Sequence, residues 1–235
     1  VNELRTVMSE YGEPKPIWIS EIGWSTGKKA TWGVDPKERP RMALQAYAIM
    51  IGEKLADKVF WYNFHNKGNN KYESTYNLGL IEHQTASITP FAAHDEYIMF
   101  TAMNRLIGQA DPAEYIRRED DTMLYHFKRY DGDDVILTWS EAESKAVGMN
   151  LGCQTLEKYD MYGNKLATLK SPSGIFTLSA ERMPVYYKGV FNSFEETTAD
   201  VTAECENDSV GIGEEFDFKV RDAHGRKISM EVNTE

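Results

Sequence analysis

Cysteine is almost absent from this sequence. Of 235 residues only Cys153 and Cys205 are cysteine, too few and too far apart for a disulfide framework or a zinc site. They leave the redox compartment open. No run of 18 apolar residues occurs, so no helix is expected to span a membrane. No signal-peptide pattern occurs either, but the first residues resemble the middle of a helix, so that absence says nothing about export. Internal repeats and low-complexity segments are lacking. So is a basic face. The net charge is -11, and it is unevenly spread: residues 1–110 carry 12 acidic and 12 basic side chains, residues 111–190 carry 13 and 10, and residues 191–235 carry 12 and 4. The acidity belongs to the tail, which argues against nucleic acid as a partner.

Apolar and aromatic residues are plentiful. Hydrophobic residues make up 41% of the chain and aromatic residues 12%, with 13 Tyr and 5 Trp. That supplies a substantial core and rings able to stack on planar or ring-shaped ligands. The length suits one large domain or two ordinary ones.

The chain is organised around the stretch Lys15–Thr26. Ile17 to Glu21 is apolar and β-branched, bounded upstream by Pro14 and Pro16, and predicts a buried parallel strand. The strand ends in the carboxylate of Glu21 and breaks at Gly23. Active sites of parallel α/β folds lie at such strand ends. A surface charge paired with a nearby Lys or Arg explains Glu21 equally well from the strand alone. Residues 1–12 predict the end of a helix with Leu4, Val7, Met8 and Tyr11 on one face and Gly12 as its cap. A loop over 22–35 holds Trp24, Ser25, Thr26 and Trp32. Asp35-Pro36-Lys37-Glu38 has capping-box spacing and opens a helix with Pro40 in its first turn. Lys58–Phe64 predicts a second continuous strand, followed by a polar loop to Asn77. Thr89-Pro90 starts a third helix running to Ile107. Helix, strand, helix, strand, helix over residues 1–108 means a parallel α/β fold with helices outside.

From Gln109 the pattern changes to short strands with regular turn signals. Thr122–Tyr130 and Val135–Trp139 flank Asp131-Gly132-Asp133-Asp134 as a hairpin. Five further strands are expected at Lys145–Leu151, Thr155–Tyr159, Lys165–Leu169, Ile175–Leu178 and Val185–Lys188. Residues 109–190 thus predict a small antiparallel β-sandwich. Residues 191–199 are expected to be a linker. Residues 200–235, with strands at Asp200–Glu206 and Glu215–Val220, predict a docked hairpin or the start of a further β domain.

Pro16-Ile-Trp-Ile-Ser-Glu21-Ile-Gly-Trp24 resembles the seventh strand of the retaining glycoside hydrolases built on a TIM (β/α)8 barrel. Val59-Phe-Trp-Tyr-Asn-Phe64 and Tyr76-Asn-Leu-Gly-Leu80 resemble the eighth strand and its loop. The nearest likeness is to glycoside hydrolase family 39 and bacterial polysaccharide-hydrolase relatives. Tyr159–Asn164, Phe176–Ser179 and Pro184–Tyr187 are similar to the later strands of the sandwich that follows such barrels. The resemblance covers roughly residues 1–190. It implies a glycosidase acting on a polysaccharide or oligosaccharide, with Glu21 as the catalytic nucleophile of a carboxyl pair. It implies no cofactor and no metal, and His83, His94, His126 and His224 show no ligand spacing.

Trp61 is expected to face the same cleft as Glu21 and stack on a sugar, with Tyr62 alternating to the helix side. Trp24 and Trp32 are placed to shape the cleft. Asn63 and His65 are candidates for bonds to sugar hydroxyls, although a solvated loop accounts for both. Glu73 is expected to be a solvated loop charge. The Asn-Glu pair that supplies the acid/base in this clan is missing, because Asn2-Glu3 sits on the opening helix. Only two of eight barrel strands are present. The expectation is therefore a C-terminal piece of a longer enzyme, inactive without its N-terminal barrel part. By analogy the whole protein is expected to be secreted or periplasmic. The alternatives are a non-catalytic carbohydrate-binding protein and a structural β-rich module.

Overall fold

The computed structural model describes residues 1–13, 15–28, 33–86, 89–197, 202–205 and 218–221. It is a mixed α/β structure with a few helices and several antiparallel sheets. Helix α1 (Asn2–Glu10) leads to strand β1 (Trp18–Ile22), helix α2 (Arg39–Gly52), strand β2 (Lys58–Trp61) and helix α3 (Asp95–Ile107). Strands β1 and β2 pair in parallel. Only one face of the pair is packed. Ile22, Val59 and Trp61 lie against a core made by α2 and α3. Trp18 and Phe60, on the other face, are 58% and 47% exposed. The expectation of strands buried on both sides is corrected here: among the described residues nothing covers that second face.

The helix starts also differ from expectation. Asp35 Oδ1 accepts a hydrogen bond from the Lys37 N–H, and the Asp35 carbonyl accepts from Glu38 and Arg39. Residues 36–38 therefore form a turn, and α2 begins at Arg39. Thr89-Pro90 likewise opens only a turn. Phe91 takes φ 58°, and the chain then runs antiparallel to residues 80–82, with Glu82 N–H bonding to the Ala92 carbonyl and His94 N–H to that of Leu80. Helix α3 cannot start before His94 because those backbone groups are already committed.

After α3 come β3 (Ala110–Arg117), β4 (Thr122–Arg129), β5 (Asp134–Ser140), β6 (Lys145–Asn150), β7 (Thr155–Asp160), β8 (Lys165–Lys170), β9 (Ile175–Ala180), β10 (Val185–Gly189) and β11 (Glu195–Thr197). One sheet has six strands in the order β3-β4-β5-β10-β7-β8, and the other three in the order β11-β6-β9. Two strands lie outside the sequence expectation. β3 contains Pro112, which an edge strand tolerates. β11 falls in the stretch expected to be linker. In the tail, β12 (Thr202–Cys205) and β13 (Phe218–Arg221) pair antiparallel.

Strands β4, β5 and β10 are buried on both faces. Met123, Tyr125, Phe127, Val135, Leu137, Trp139 and Tyr186 face α2 and α3. Leu124, Ile136, Val185 and Tyr187 face Val147, Met149, Phe176 and Leu178 of the three-stranded sheet. A strand between two apolar layers needs apolar residues at every position, which is why Met123–Phe127 and Val135–Leu137 do not alternate. The shared core also ties the β-rich half to the helices beside β1 and β2.

Candidate active site

Glu21 stands one residue before the end of β1 and is exposed. The pairing of β1 with β2 shifts register between Ile19 and Ile22, so that Ile22 lies beside Trp61. The Tyr62 N–H then bonds to the Ile22 carbonyl at 2.8 Å, closing the two strand ends together. Gly23 follows directly. A Cβ at that position would overlap the Tyr62 carbonyl oxygen, so the two chains meet this closely only because residue 23 has no side chain.

The rings at the end of β2 are exchanged relative to the sequence expectation. Trp61 turns to the helices: its ring meets Phe100 of α3 edge-on at 5.5 Å, lies 6.0 Å from Trp24, and donates Nε1–H to the Leu78 carbonyl. Tyr62 lies beneath Lys67, whose Nζ is 5.0 Å from the ring centre. The Tyr62 side chain raises the Lys67 pKa, and the negative charge of Glu21 adds a smaller rise. Tyr62 is thus tied through its N–H to the residue after Glu21, and Lys67 sits over its ring. The register shift in β1 puts Ile22 and Trp61 on the helix side, and no pattern in the sequence marks that shift.

Trp24 is half-buried and Trp32 lies outside the described residues. Asn63 donates its N–H to the Leu78 carbonyl, while its side-chain Oδ1 is buried without a hydrogen-bond partner. His65 is exposed, with Nδ1 2.8 Å from the Asn66 carbonyl. Glu73 is not simply solvated. It is half-buried, and its carboxylate caps the short 3-10 turn Ser74–Tyr76 by accepting from Thr75. Tyr62, expected on the helix side, and Lys67, given no role by the sequence, are the residues whose placement sequence reasoning did not foresee. Their only sequence signal was proximity to the end of β2.

The loops after β1 and β2 interlock. Ser25 is fully buried, its Oγ donating to the Ser74 carbonyl and accepting from the Gly27 N–H. Thr26 N–H bonds to the Asn77 carbonyl, and Lys28 N–H to that of Lys71. Between these loops and the first turns of α2 and α3 lies a cavity of about 350 Å3, lined by Thr26, Arg39, Asn66, Asn77 and His94 among others. Burial, and then the Arg39 guanidinium, hold the His94 pKa below its usual value. A depressed histidine pKa means that acid protonates the unfolded chain first. Stability is therefore full above about pH 6.5, the ordinary histidine value, and declines as pH falls from there through the lowered folded value. Thermal melts between pH 7.5 and 5 are expected to fall less steeply for His94→Asn than for the parent; equal slopes would show that His94 does not drive the loss.

Among the described residues, no group of three or more His, Cys, Asp or Glu side chains could hold a metal ion. No described helix is long and apolar enough to cross a membrane.

No protein-family model and no curated protein matches the chain. Solved structures do match. A family 39 glycoside hydrolase from the gut symbiont Bacteroides cellulosilyticus superposes with a TM-score of 0.63 at 18% identity, over 81% of this chain and 37% of that one. A family 30 endoxylanase from Clostridium papyrosolvens gives 0.51 at 8% identity, over 78% and 44%. The catalytic domain of family 30 xylanase C from Talaromyces cellulolyticus gives 0.51 at 14% identity, over 77% and 42%. The chain has a glycosidase-like fold, and the resemblance to glycoside hydrolases read in the sequence is borne out at that level. It spans less than half the length of each of these structures.

Proposed function

We propose that this chain is the C-terminal part of a retaining glycoside hydrolase acting on a polysaccharide or oligosaccharide. In this reading β1 and β2 are the seventh and eighth strands of a (β/α)8 barrel within residues 1–108. Residues 109–190 form the β-sandwich behind it, 191–199 link onward, and 200–235 begin a further β unit or dock as a hairpin. The observation that carries the reading is Glu21: an exposed carboxylate at the carboxyl end of a parallel strand, in a glycosidase-like fold. Exposed Trp18 and Phe60, and the exposed Leu4 and Val7 of α1, support burial against further barrel elements. So do the outer edges of this sheet, which has two strands among the described residues.

Glu21 attacks the anomeric carbon and forms a covalent glycosyl-enzyme. A carboxylic acid about 5–5.5 Å away, from a segment outside this sequence, protonates the leaving oxygen and then activates water. This chain alone is inactive, because a nucleophile without a proton donor cannot expel the leaving group. Asn63, His65, Trp24, Trp32 and Trp61 remain the proposed sugar-site residues, with Trp61 and Trp24 forming its floor rather than an open platform. Tyr62, whose N–H bonds to the carbonyl of the residue after the nucleophile, joins them. A 2-fluoro glycoside with an activated leaving group is expected to label the intact protein on the peptide containing Glu21. Labelling on a different carboxylate, or turnover of the reagent without any labelled peptide, would remove Glu21 from the role.

A further inference from the structure

The Arg39–Glu96 pair joins the first turns of α2 and α3, and both side chains are 1% exposed. Arg39 Nε and Nη2 donate to the two Glu96 oxygens at 2.6 and 2.8 Å. The remaining donors go to three backbone carbonyls. Nη1 reaches Asn77 at 3.1 Å and Trp24 at 3.4 Å, and Nη2 reaches Gly79 at 3.2 Å. All five N–H groups of the guanidinium are thereby used.

Those carbonyls belong to two different loops. Trp24 is on the loop after β1, three residues past Glu21, whereas Asn77 and Gly79 are on the loop after β2. The Asn77 carbonyl also accepts from Thr26, so one oxygen joins both loops and the guanidinium. Leu78, between Asn77 and Gly79, accepts from Asn63 N–H and Trp61 Nε1–H. The contacts run unbroken from the buried pair to both strand ends.

Helix stability does not account for this placement. A guanidinium in the first turn of α2 sits at the positive end of that helix, where a cation is disfavoured. The two helices already pack through Ala43, Leu44, Met99 and Met103. Nor does a buried ion pair usually stabilise a fold more than apolar residues of similar size would. The fork geometry, by contrast, is what spanning carbonyls of separate segments requires, and lysine cannot reproduce it.

We infer that Arg39, oriented by Glu96, is a positioning residue that locks the loops after β1 and β2 into one unit and so fixes Glu21 relative to Tyr62 and Asn63. The locking stands on the contacts alone. Its effect on turnover rests on the glycosidase reading above.

The test uses the intact protein and the variants R39M/E96L and R39K. For R39M/E96L, amide hydrogen exchange in peptides covering 24–28 and 76–80 is expected to speed up at least tenfold, while peptides from β4 and β5 keep their protection. R39K is expected to loosen the same peptides, since one ammonium cannot span three carbonyls, so the test stands even where R39M/E96L fails to fold. With an activated aryl glycoside, kcat is expected to fall at least tenfold in either variant, with KM changed far less. Wild-type protection of both peptides in R39K, or in a folded R39M/E96L, would overturn the inference. Loosened loops with wild-type kcat would overturn the positioning role. If the parent protein turns over no glycoside and takes no label on Glu21, the glycosidase reading falls, and the exchange result still decides whether Arg39 locks the loops.

Discussion

Glu21→Gly in the intact protein is expected to lower glycoside turnover by on the order of 10^4- to 10^6-fold, as removal of a covalent nucleophile does where catalytic groups act as a unit. The same variant is expected to fold as the parent does, because Glu21 is exposed and, among the described residues, no hydrogen bond ties its side chain to the core. Those two expectations separate a catalytic carboxylate from a structural one. A further signature follows from the mechanism. The gap left by the carboxylate lies under the anomeric carbon, on the face opposite the leaving group. A small anion such as azide can enter it and attack from there. Turnover should then recover in part, yielding a glycosyl azide of inverted configuration instead of the retained sugar. Loss of activity below tenfold in Glu21→Gly would sink the assignment, whatever the azide result.

Trp139→Ala is expected to cost about 3–5 kcal/mol of folding stability, the range for removing a large, fully buried ring. Trp139 is 1% exposed and belongs to the core that α2 and α3 share with the six-stranded sheet. Its ring stacks on Tyr125 at 5.4 Å, with an angle of 18° between the planes, and its Nε1–H reaches Glu141 at 3.2 Å. The backbone on both sides is fixed, Met123 of β4 pairing with Trp139 itself, so the space cannot close by a simple shift. A domain of this kind is stable by roughly 5–15 kcal/mol in total, so the loss is a large fraction of it. In a chain of this size it corresponds to a melting temperature lower by roughly 10 °C. A fall of less than about 3 °C would mean that the helices and the sheet are not joined through this ring.

The arrangement of elements was legible to different depths along the chain. The strand ending at Glu21 announced itself by a run of β-branched and aromatic residues between prolines and a glycine. The hairpin of β4 and β5 did so by Asp131-Gly132-Asp133-Asp134 between apolar runs. The start of α3 was misjudged at Thr89, because a cap side chain and a proline also suit a turn and only competing backbone bonds distinguish the two; α2 begins at Arg39, one turn after Asp35. β3 was missed because Pro112 argues against a strand that is not at an edge.

The chemistry at Glu21 was suggested by residue type, position in a strand and family resemblance together. The identities of its neighbours were not. Tyr62 was expected on the helix side because strict alternation along β2 puts Trp61, not Tyr62, on the face of Glu21, and Lys67 was given no role. The Arg39–Glu96 pair left no trace at all: the two residues are far apart in sequence, and each looks like an ordinary charge on a helix.

By itself the sequence determined what is local: which segments are apolar enough to be strands, where glycine and proline break them, and that a carboxylate stands at the end of one. Those follow from backbone preference and side-chain period, which act over a few residues. Only the tertiary structure decided which faces are covered, that the Trp61 ring turns to the helices, and that three guanidinium donors bind two loops together. Each of these depends on register shifts and on hydrogen-bond partners brought together by packing, and a one-residue change in register turns a side chain to the opposite face.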